Sequence, residues 1–380
     1  MNRKITSAGP SITSLEIKLV NKAIRDGWQD KMNYYIESFV EEFSDYVGLK
    51  YCLTTSHCTE AIYLALLTLD IGAGDEVIVP DLTWVAAVSP IVHVGATPVF
   101  CDVDKNSFCL TAANIKKCIT KKTKAIIGVD LLGNMPQWDE IIKLCKESKI
   151  HIIEDAAEGL GAKYKKKPAG NFGKISLFSF NATKLIMSGQ GGAFCTNDEN
   201  LYNKAKLLIH HGIDKKLTGK YYWSNIIGYN YQWTNLQAAL ALAQLRRINE
   251  LLDYKKWLHE NYFYQLSNIE DLHLNCFENN VNPSHWINAV VLVGKRKMKK
   301  EIVCEFFKKK NIDMRPMFYQ VSEMPPFKKY LNRFKGRKNN ANAHYISKYG
   351  VILPYGYNLS INDVVRICNV FKSLFLKKSK

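Results

Sequence analysis

Arginine is scarce in a chain that is otherwise strongly basic. Lys and Arg total 52 against 35 Asp and Glu, a formal charge of +17, yet only nine of those bases are arginine. Phosphate forks and base edges are read mainly by guanidinium groups. The deficit therefore argues against a nucleic-acid partner, and no nucleic-acid-binding motif is present. The excess charge reads as a solvated lysine surface. A secretory leader is not expected, because Met1–Pro10 is polar and has no apolar core segment. No membrane span is expected either. The longest uncharged stretch, Thr83–Cys101, is nearly long enough to cross a bilayer, but Pro90, Gly95 and Pro98 divide it into a helix, a turn and a strand. The ten cysteines include no C-x-x-C pair, and the chain is too long for a disulfide mini-scaffold. Reduced thiols in a cytoplasm are the expectation. Cys52, Cys58, Cys101 and Cys109 cluster in sequence, but no Cys or His spacing there matches a zinc site, so no metal is expected. The dinucleotide fingerprint G-x-G-x-x-G is missing as well.

What is present is an ordinary globular composition, 47% apolar and 23% charged over 380 residues. At about 150 residues per domain that length suggests two or three domains. From about residue 50 to residue 196, short apolar runs alternate with longer amphipathic ones. Tyr51–Thr55, Glu76–Pro80, Pro98–Val103, Ala125–Leu131 and His151–Glu154 read as strands, and Thr59–Leu69, Ala112–Ile119 and Gln137–Lys146 as helices between them. Lys174–Phe180 and Gly192–Thr196 add strands. Such alternation predicts an α/β domain whose mainly parallel sheet is covered by helices on both faces. Ligands of such sheets sit beyond the carboxyl ends of the strands. Leu236–Leu252 is a strong helix that leads into a second, smaller α+β domain, and the change of texture predicts domains at 1–250 and 251–380.

Three strand-end features carry chemistry. HIIEDAAEG places Glu154 and Asp155 at the end of a strand, LFSFNATK places Ser179 and Lys184 after another, and SGQGG follows at Ser188–Gly192. Taken singly, adjacent carboxylates cap or face solvent, and one lysine among 43 lies on the surface. Taken together, an acid, a lysine and small anion-binding groups at neighbouring strand ends are what pyridoxal phosphate requires. The helix starting near Thr59 directly follows a strand, so its free N–H groups can cradle a phosphate. His210 and His211 close a helix, where capping of carbonyl dipoles and contact with substrate are equally open readings. Trp28 and Trp223 read as packing residues.

These residues lie within longer ordered motifs. GAGDEVIVPDLTWVAAVSPIVHVGATPVFCDVD, IIEDAAEGLGAKYKKKPAGNFGKISLFSFNATK, GQGGAFCTND and IGYNYQWTNLQAALALAQL follow one another through most of the chain. The sequence resembles the nucleotide-sugar aminotransferases of the DegT–StrS family, within the fold type I, aspartate-aminotransferase-like pyridoxal-phosphate enzymes. The tail elements IDMRPMFYQVSEMPPF and VILPYGYNLS look most like its GDP-perosamine synthase branch. By position, the resemblance implies that Lys184 is the Schiff-base lysine and Asp155 the acid facing the pyridine nitrogen. Trp84 matches the aromatic stacked on the cofactor ring, and Glu158 the position near its phenolic oxygen. Ser179 and the backbone at Cys58–Thr59 match the phosphate cup. Asn230 matches an asparagine that reaches the phosphate from a neighbouring subunit, which implies a homodimer with shared active sites. Arg315 and His211 are candidate substrate contacts, Arg315 through its forked geometry toward a diphosphate.

The implied reaction is transfer of an amino group from L-glutamate to a nucleotide-linked 4-keto-6-deoxyhexose, of the GDP-4-keto-6-deoxymannose to GDP-perosamine type. A 3- or 4-aminotransferase on a UDP- or dTDP-linked keto sugar is the alternative, with a non-catalytic regulatory homologue more distant. Cell-surface polysaccharide synthesis is the implied context. Three departures from the family pattern bear on the substrate. Cys58-Thr59 stands where Gly-Thr is usual, NYQW places Gln232 where an Arg is usual, and VDLLGN at Val129–Asn134 replaces VHLYGQ. Lys184 is retained, whereas related sugar 3-dehydratases carry His there.

Overall fold

The structure, a computed structural model, describes residues 3–214, 219–331 and 340–376. The first half of the chain lays down β1 (Tyr51–Thr55), β2 (Glu76–Pro80), β3 (Thr97–Cys101), β4 (Thr123–Val129) and β5 (His151–Asp155), then a small hairpin of β6 (Lys163–Tyr164) and β7 (Lys167–Pro168), then β8 (Ile175–Ser179) and β9 (Gly192–Thr196). Seven of these form one sheet in the order β1-β9-β8-β5-β4-β2-β3. Its interior strands are apolar on both faces, as a sheet covered on both sides requires: Val77, Ile78 and Val79 in β2 are fully buried. Neighbours are parallel except at β9, which runs antiparallel to both β1 and β8. The reversal follows from the β8–β9 connection. Phe180–Gly191 contains no helix to carry a parallel crossover, so the chain turns back on itself.

Element boundaries shift from the expected ones where tertiary contacts intervene. Thr83–Cys101 does break into a short helical turn (Val85–Ala87), a helix (Ser89–His93) and β3. β3 stops at Cys101 because the next carboxylate, Asp102, is spent on the backbone amides of Asn342 and Ala343. The expected helix Leu236–Leu252 is two helices, Asn235–Arg246 and Ile248–Leu266, interrupted at Arg247. There the guanidinium turns inward, 2.5 Å from the buried Glu16 carboxylate, and also meets Glu250. Trp28 and Trp223 are not core residues as expected but are more than half exposed. The Trp28 indole bonds the Ile24 carbonyl, and Lys220 sits over the Trp223 ring.

A second sheet is built from β10 (Leu272–Leu274), β12 (Ala289–Leu292), β13 (Arg315–Pro316) and β14 (Gly350–Ile352), all antiparallel in the order β10-β12-β14-β13. β11 (Val281–Asn282) instead pairs with β6. The N-terminal segment joins this later part of the chain, with Ile5 bridging to Ile312. Helix Asn235–Arg246 packs against helix Tyr34–Val47 with most of its side chains buried. From the latter, Phe39 and Phe43 meet Phe180 edge-on, and Phe43 meets Phe178, beneath β8. Among the described residues no helix is long and apolar enough to cross a membrane, no cluster of His, Cys, Asp and Glu could hold a metal, and none of the ten cysteines forms a disulfide.

Candidate active site

Five strand ends, those of β1, β2, β4, β5 and β8, converge on one cavity of about 670 Å³, a size typical of small-ligand sites. β9 enters at the same end, because Gly192 pairs with both Thr55 and Ser179. The helix Cys58–Thr68 begins at this end without a side-chain cap from His57. Its first-turn amides are therefore left for an anion, at the positive end of the helix dipole. Gly192 makes the approach possible: a Cβ there would lie 2.5 Å from the Cys58 nitrogen. Burial, and then the charge of Asp155, push the Cys58 thiol well above its usual range. The side chain that replaces glycine thus adds bulk to the loop but no negative charge.

Asp155 ends β5, buried at the cavity wall. Among the described residues only the Ala157 N–H bonds its carboxylate, at 3.1 Å. Burial pushes its pKa up to about 6, opposed by the Ala157 N–H and the Lys184 charge. Lys184 lies on the β8–β9 connection with its side chain 15% exposed, and its Nζ sits 3.2 Å from Glu158 Oε1. The other Glu158 oxygen accepts the Leu132 N–H at 2.9 Å, so the loop after β4 orients the carboxylate that orients the lysine. Trp286 closes over the amine, its ring centroid 4.2 Å from Nζ, while its indole N–H holds the Thr183 carbonyl at 3.1 Å. Ser179 and Thr59 line the same cavity, as does Trp84, which is 59% exposed at its mouth.

Behind Asp155 lie two more carboxyl groups, Glu154 and Asp130, both fully buried. Glu154 accepts the N–H groups of Gly170, Phe172 and Gly173 and the Ser176 hydroxyl. Among the described residues no hydrogen bond of normal geometry reaches either oxygen of Asp130. Burial, then the neighbouring Glu154 charge, push the Asp130 pKa well above its ordinary value and disfavour the charged form. The departure from His to Asp in VDLLGN therefore places beside Asp155 a carboxyl whose charged form burial disfavours.

The opposite wall comes from the second sheet. Arg315 in β13 donates from Nε to the Ser7 hydroxyl at 3.1 Å and from Nη1 to the Tyr355 hydroxyl at 2.6 Å. Nη2 has no partner among the described residues. Met317, Phe318 and Tyr319 continue that wall, and the Phe318 ring faces Trp84 across the mouth at 6.0 Å between centroids.

One cavity thus gathers Cys58, Thr59, Trp84 and Asp155 with Glu158, Ser179, Lys184 and Arg315. Asn230 and His211 lie outside it. Asn230 is exposed and bridges to His210, and His211 lines a second cavity beside Gln232 and Tyr221. Sequence reasoning missed Trp286, Tyr355 and the Met317–Tyr319 wall. Tyr355 and Met317–Tyr319 lie in tail motifs that had been recognised without a role, and no signal marked Trp286. The residues present fit pyridoxal phosphate. A buried carboxylate with unused acceptor capacity, an amine within reach of it and an uncapped helix start share one pocket.

Comparison with known proteins bears this out. The model of the DegT/DnrJ/EryC1/StrS aminotransferase family matches residues 10–372. The GDP-perosamine synthase of Vibrio cholerae is 33% identical over 366 residues, covering 96% of this chain and 98% of that protein. The GDP-perosamine synthase of Escherichia coli O157:H7 is 34% identical over 370 residues, covering 97% and 98%. Among solved structures, the PLP form of Spr1654 from Streptococcus pneumoniae superposes with a TM-score of 0.90 at 25% identity, covering 99% of each chain. The aspartate-aminotransferase-like α/β architecture expected from the sequence is the one observed.

Proposed function

The chain belongs to the DegT/DnrJ/EryC1/StrS aminotransferase family and is a pyridoxal-phosphate-dependent sugar aminotransferase; within that class we propose that it moves an amino group from L-glutamate to C4 of a GDP-linked 4-keto-6-deoxyhexose, as in formation of GDP-perosamine. The observation that carries this reading is the pairing of two walls in one cavity: Lys184, Glu158 and Asp155 face Arg315 and its aromatic neighbours. The identity of about a third to two GDP-perosamine synthases, over nearly their whole length, supports the choice of GDP sugar.

Pyridoxal phosphate supplies an aldehyde that captures amines and a protonated ring that takes up the electron pair left by a departing α-proton. Asp155, once ionised, would pair with the ring nitrogen and keep it protonated, first-turn amides at Cys58 and Thr59 with the Ser179 hydroxyl would hold the phosphate, and Trp84 would pack against the ring. The Lys184 amine takes the proton from the α-carbon of glutamate and later delivers one to C4 of the sugar. Glu158 Oε1 holds that amine on course between these positions. Glutamate gives up its amino group as water supplies the keto oxygen of 2-oxoglutarate, and the keto oxygen of the sugar departs as water when the amine takes its place. Arg315, with Nη2 still to be paired, binds the diphosphate.

Two copies of the chain complete the site in this reading. Asn230 follows a segment with Tyr222 and Ile227 each more than nine-tenths exposed and Trp223 half exposed, apolar surface that a second copy would cover. Asn230 and His211 then serve the partner's cavity rather than their own.

The test is a side-by-side assay of GDP-, UDP- and dTDP-4-keto-6-deoxyhexoses with glutamate as donor, the amino sugar identified by mass spectrometry and its position by NMR. The GDP sugar aminated at C4 is the expected product. Faster turnover of a UDP or dTDP sugar, or amination at C3, overturns the proposal.

A further inference from the structure

Asp81 lies one residue beyond β2, is fully buried, and does not line the cavity. Its backbone and side chain nevertheless tie the end of β2 to the segment after β13 and to the start of helix Ala341–Tyr349. Its carboxylate accepts the Gln320 side-chain amide at 2.8 Å, the Ser322 N–H at 2.8 Å, the Ser322 hydroxyl at 2.8 Å and the Asn340 side-chain amide at 2.6 Å. Its carbonyl accepts the Val321 N–H, and its own N–H is given to the Cys101 carbonyl of β3. Burial raises the carboxyl pKa and the four donors oppose the rise. Since each partner can donate, the group binds as a carboxylate.

Two features suggest that this junction serves the site. Asn340 is the N-cap of helix Ala341–Tyr349, yet its side chain makes no cap and is given to Asp81. Capping falls instead to Asp102, at the end of the neighbouring β3, which accepts the N–H groups of Asn342 and Ala343. A residue type suited to capping has been diverted to the junction. The junction also sits between the two sides of the cavity mouth. Trp84 is three residues after Asp81 on one side, and Gln320–Ser322 directly follows Phe318 and Tyr319 on the other. Lys300 anchors the far end of that strip, donating to the Met317 carbonyl at 2.8 Å beneath the Tyr319 ring.

We propose that Asp81 is a positioning residue for the sugar nucleotide: by gripping Gln320, Ser322 and Asn340 it sets the gap between Trp84 and the Phe318–Tyr319 wall in which the acceptor lies. The inference rests on the reading of the cavity as a nucleotide-sugar site. Glutamate is too small to need that gap, so loss of the grip acts on the acceptor half-reaction alone.

The experiment compares wild type, Asp81→Asn and the exchange Asp81→Asn/Asn340→Asp, which returns one carboxylate and one amide to the same pair of positions. With the cofactor-loaded enzyme, Asp81→Asn raises KM for the GDP keto sugar about tenfold. The rate of the glutamate half-reaction, read by cofactor absorbance in a single turnover, stays within about twofold. In the apoprotein, hydrogen exchange speeds up in residues 317–324 and not in β4 or β5. The double variant recovers both readouts in part. An unchanged KM, equal losses in both half-reactions, exchange that rises throughout the molecule, or a double variant no better than the single one each overturns the proposal. Should Asp81→Asn fail to fold, Asn340→Ala, which removes one of the four donors, carries the same test with a smaller KM rise, and an unchanged KM there overturns it. If the wild type aminates none of the three nucleotide sugars, the functional reading falls, while apoprotein exchange still decides whether Asp81 holds the wall.

Discussion

The two walls of the cavity are made by different means. On one side, Asp155, Ser179 and the start of helix Cys58–Thr68 stand at or just past strand ends of a seven-stranded sheet, where backbone ladders and a close-packed core set their positions. On the other, Arg315 belongs to a two-residue strand, and Phe318 and Tyr319 lie outside any regular element. That wall is tied by side chains instead: Ser7 and Tyr355 to Arg315, Lys300 to Met317, and Asp81 to Gln320 and Ser322. A covalent step needs its groups held within fractions of an ångström, and the sheet supplies that. Reach and selectivity toward an acceptor can be altered one side chain at a time without disturbing the sheet.

Variants on the two walls should therefore separate chemistry from acceptor binding. Lys184→Ala has the largest expected effect, a loss of transamination of about 10³-fold or more, with GDP affinity measured by calorimetry unchanged. A variant that retains turnover would remove Lys184 from its role. Arg315→Lys, on the other wall, keeps the charge but not the fork. KM for the nucleotide sugar should rise about tenfold while the glutamate half-reaction is untouched, and stopped-flow absorbance with steady-state kinetics checks the split.

Asp155→Asn probes the sheet wall through pH. In the apoprotein the Asp155 pKa is raised to about 6 from its ordinary 3.8. Between those values the folded chain holds a proton that the unfolded chain has lost, so this group's contribution to stability declines as pH rises through 6. The neutral asparagine escapes that loss. Apo Asp155→Asn should differ least from wild type below about pH 3.8, gain on it as pH rises to about 6, and melt higher at pH 7.5, while binding the cofactor more weakly. Thermal denaturation across that range measures it, and a variant that melts lower than wild type at pH 7.5 contradicts the expectation. The smallest effect is expected from Cys58→Gly. Because the thiol is neutral, cofactor affinity should change by no more than about threefold, read by titration of the apoprotein with pyridoxal phosphate.

Much of the sheet wall was legible in the sequence. Glu76–Pro80 and His151–Glu154 are apolar runs bounded by turn residues, and parallel strands buried on both faces produce that pattern. Asp155 lies at the end of such a run and Lys184 in the turn after another, and it was their combination with SGQGG that marked them. The other wall was less legible for a physical reason. A two-residue strand such as β13 has no period to detect, and its partner Ile352 lies far along the chain. The break at Arg247 was hidden in the same way, since the acid that draws the guanidinium in, Glu16, lies 231 residues earlier, in helix Ser14–Asp26.

By itself, then, the sequence determined the alternation of strands and helices, the end of the sheet at which the cavity opens, and the lysine and acid that line it. Those properties are local: they depend on side-chain period, on turn residues and on what each strand end carries. Tertiary structure decided the reversal of β9, the raised pKa of Asp130, the closure of Trp286 over Lys184 and the grip of Asp81 on the opposite wall. Each of these is set by burial or by contact between residues distant in the chain. Energies of that kind come from geometry that no single segment contains.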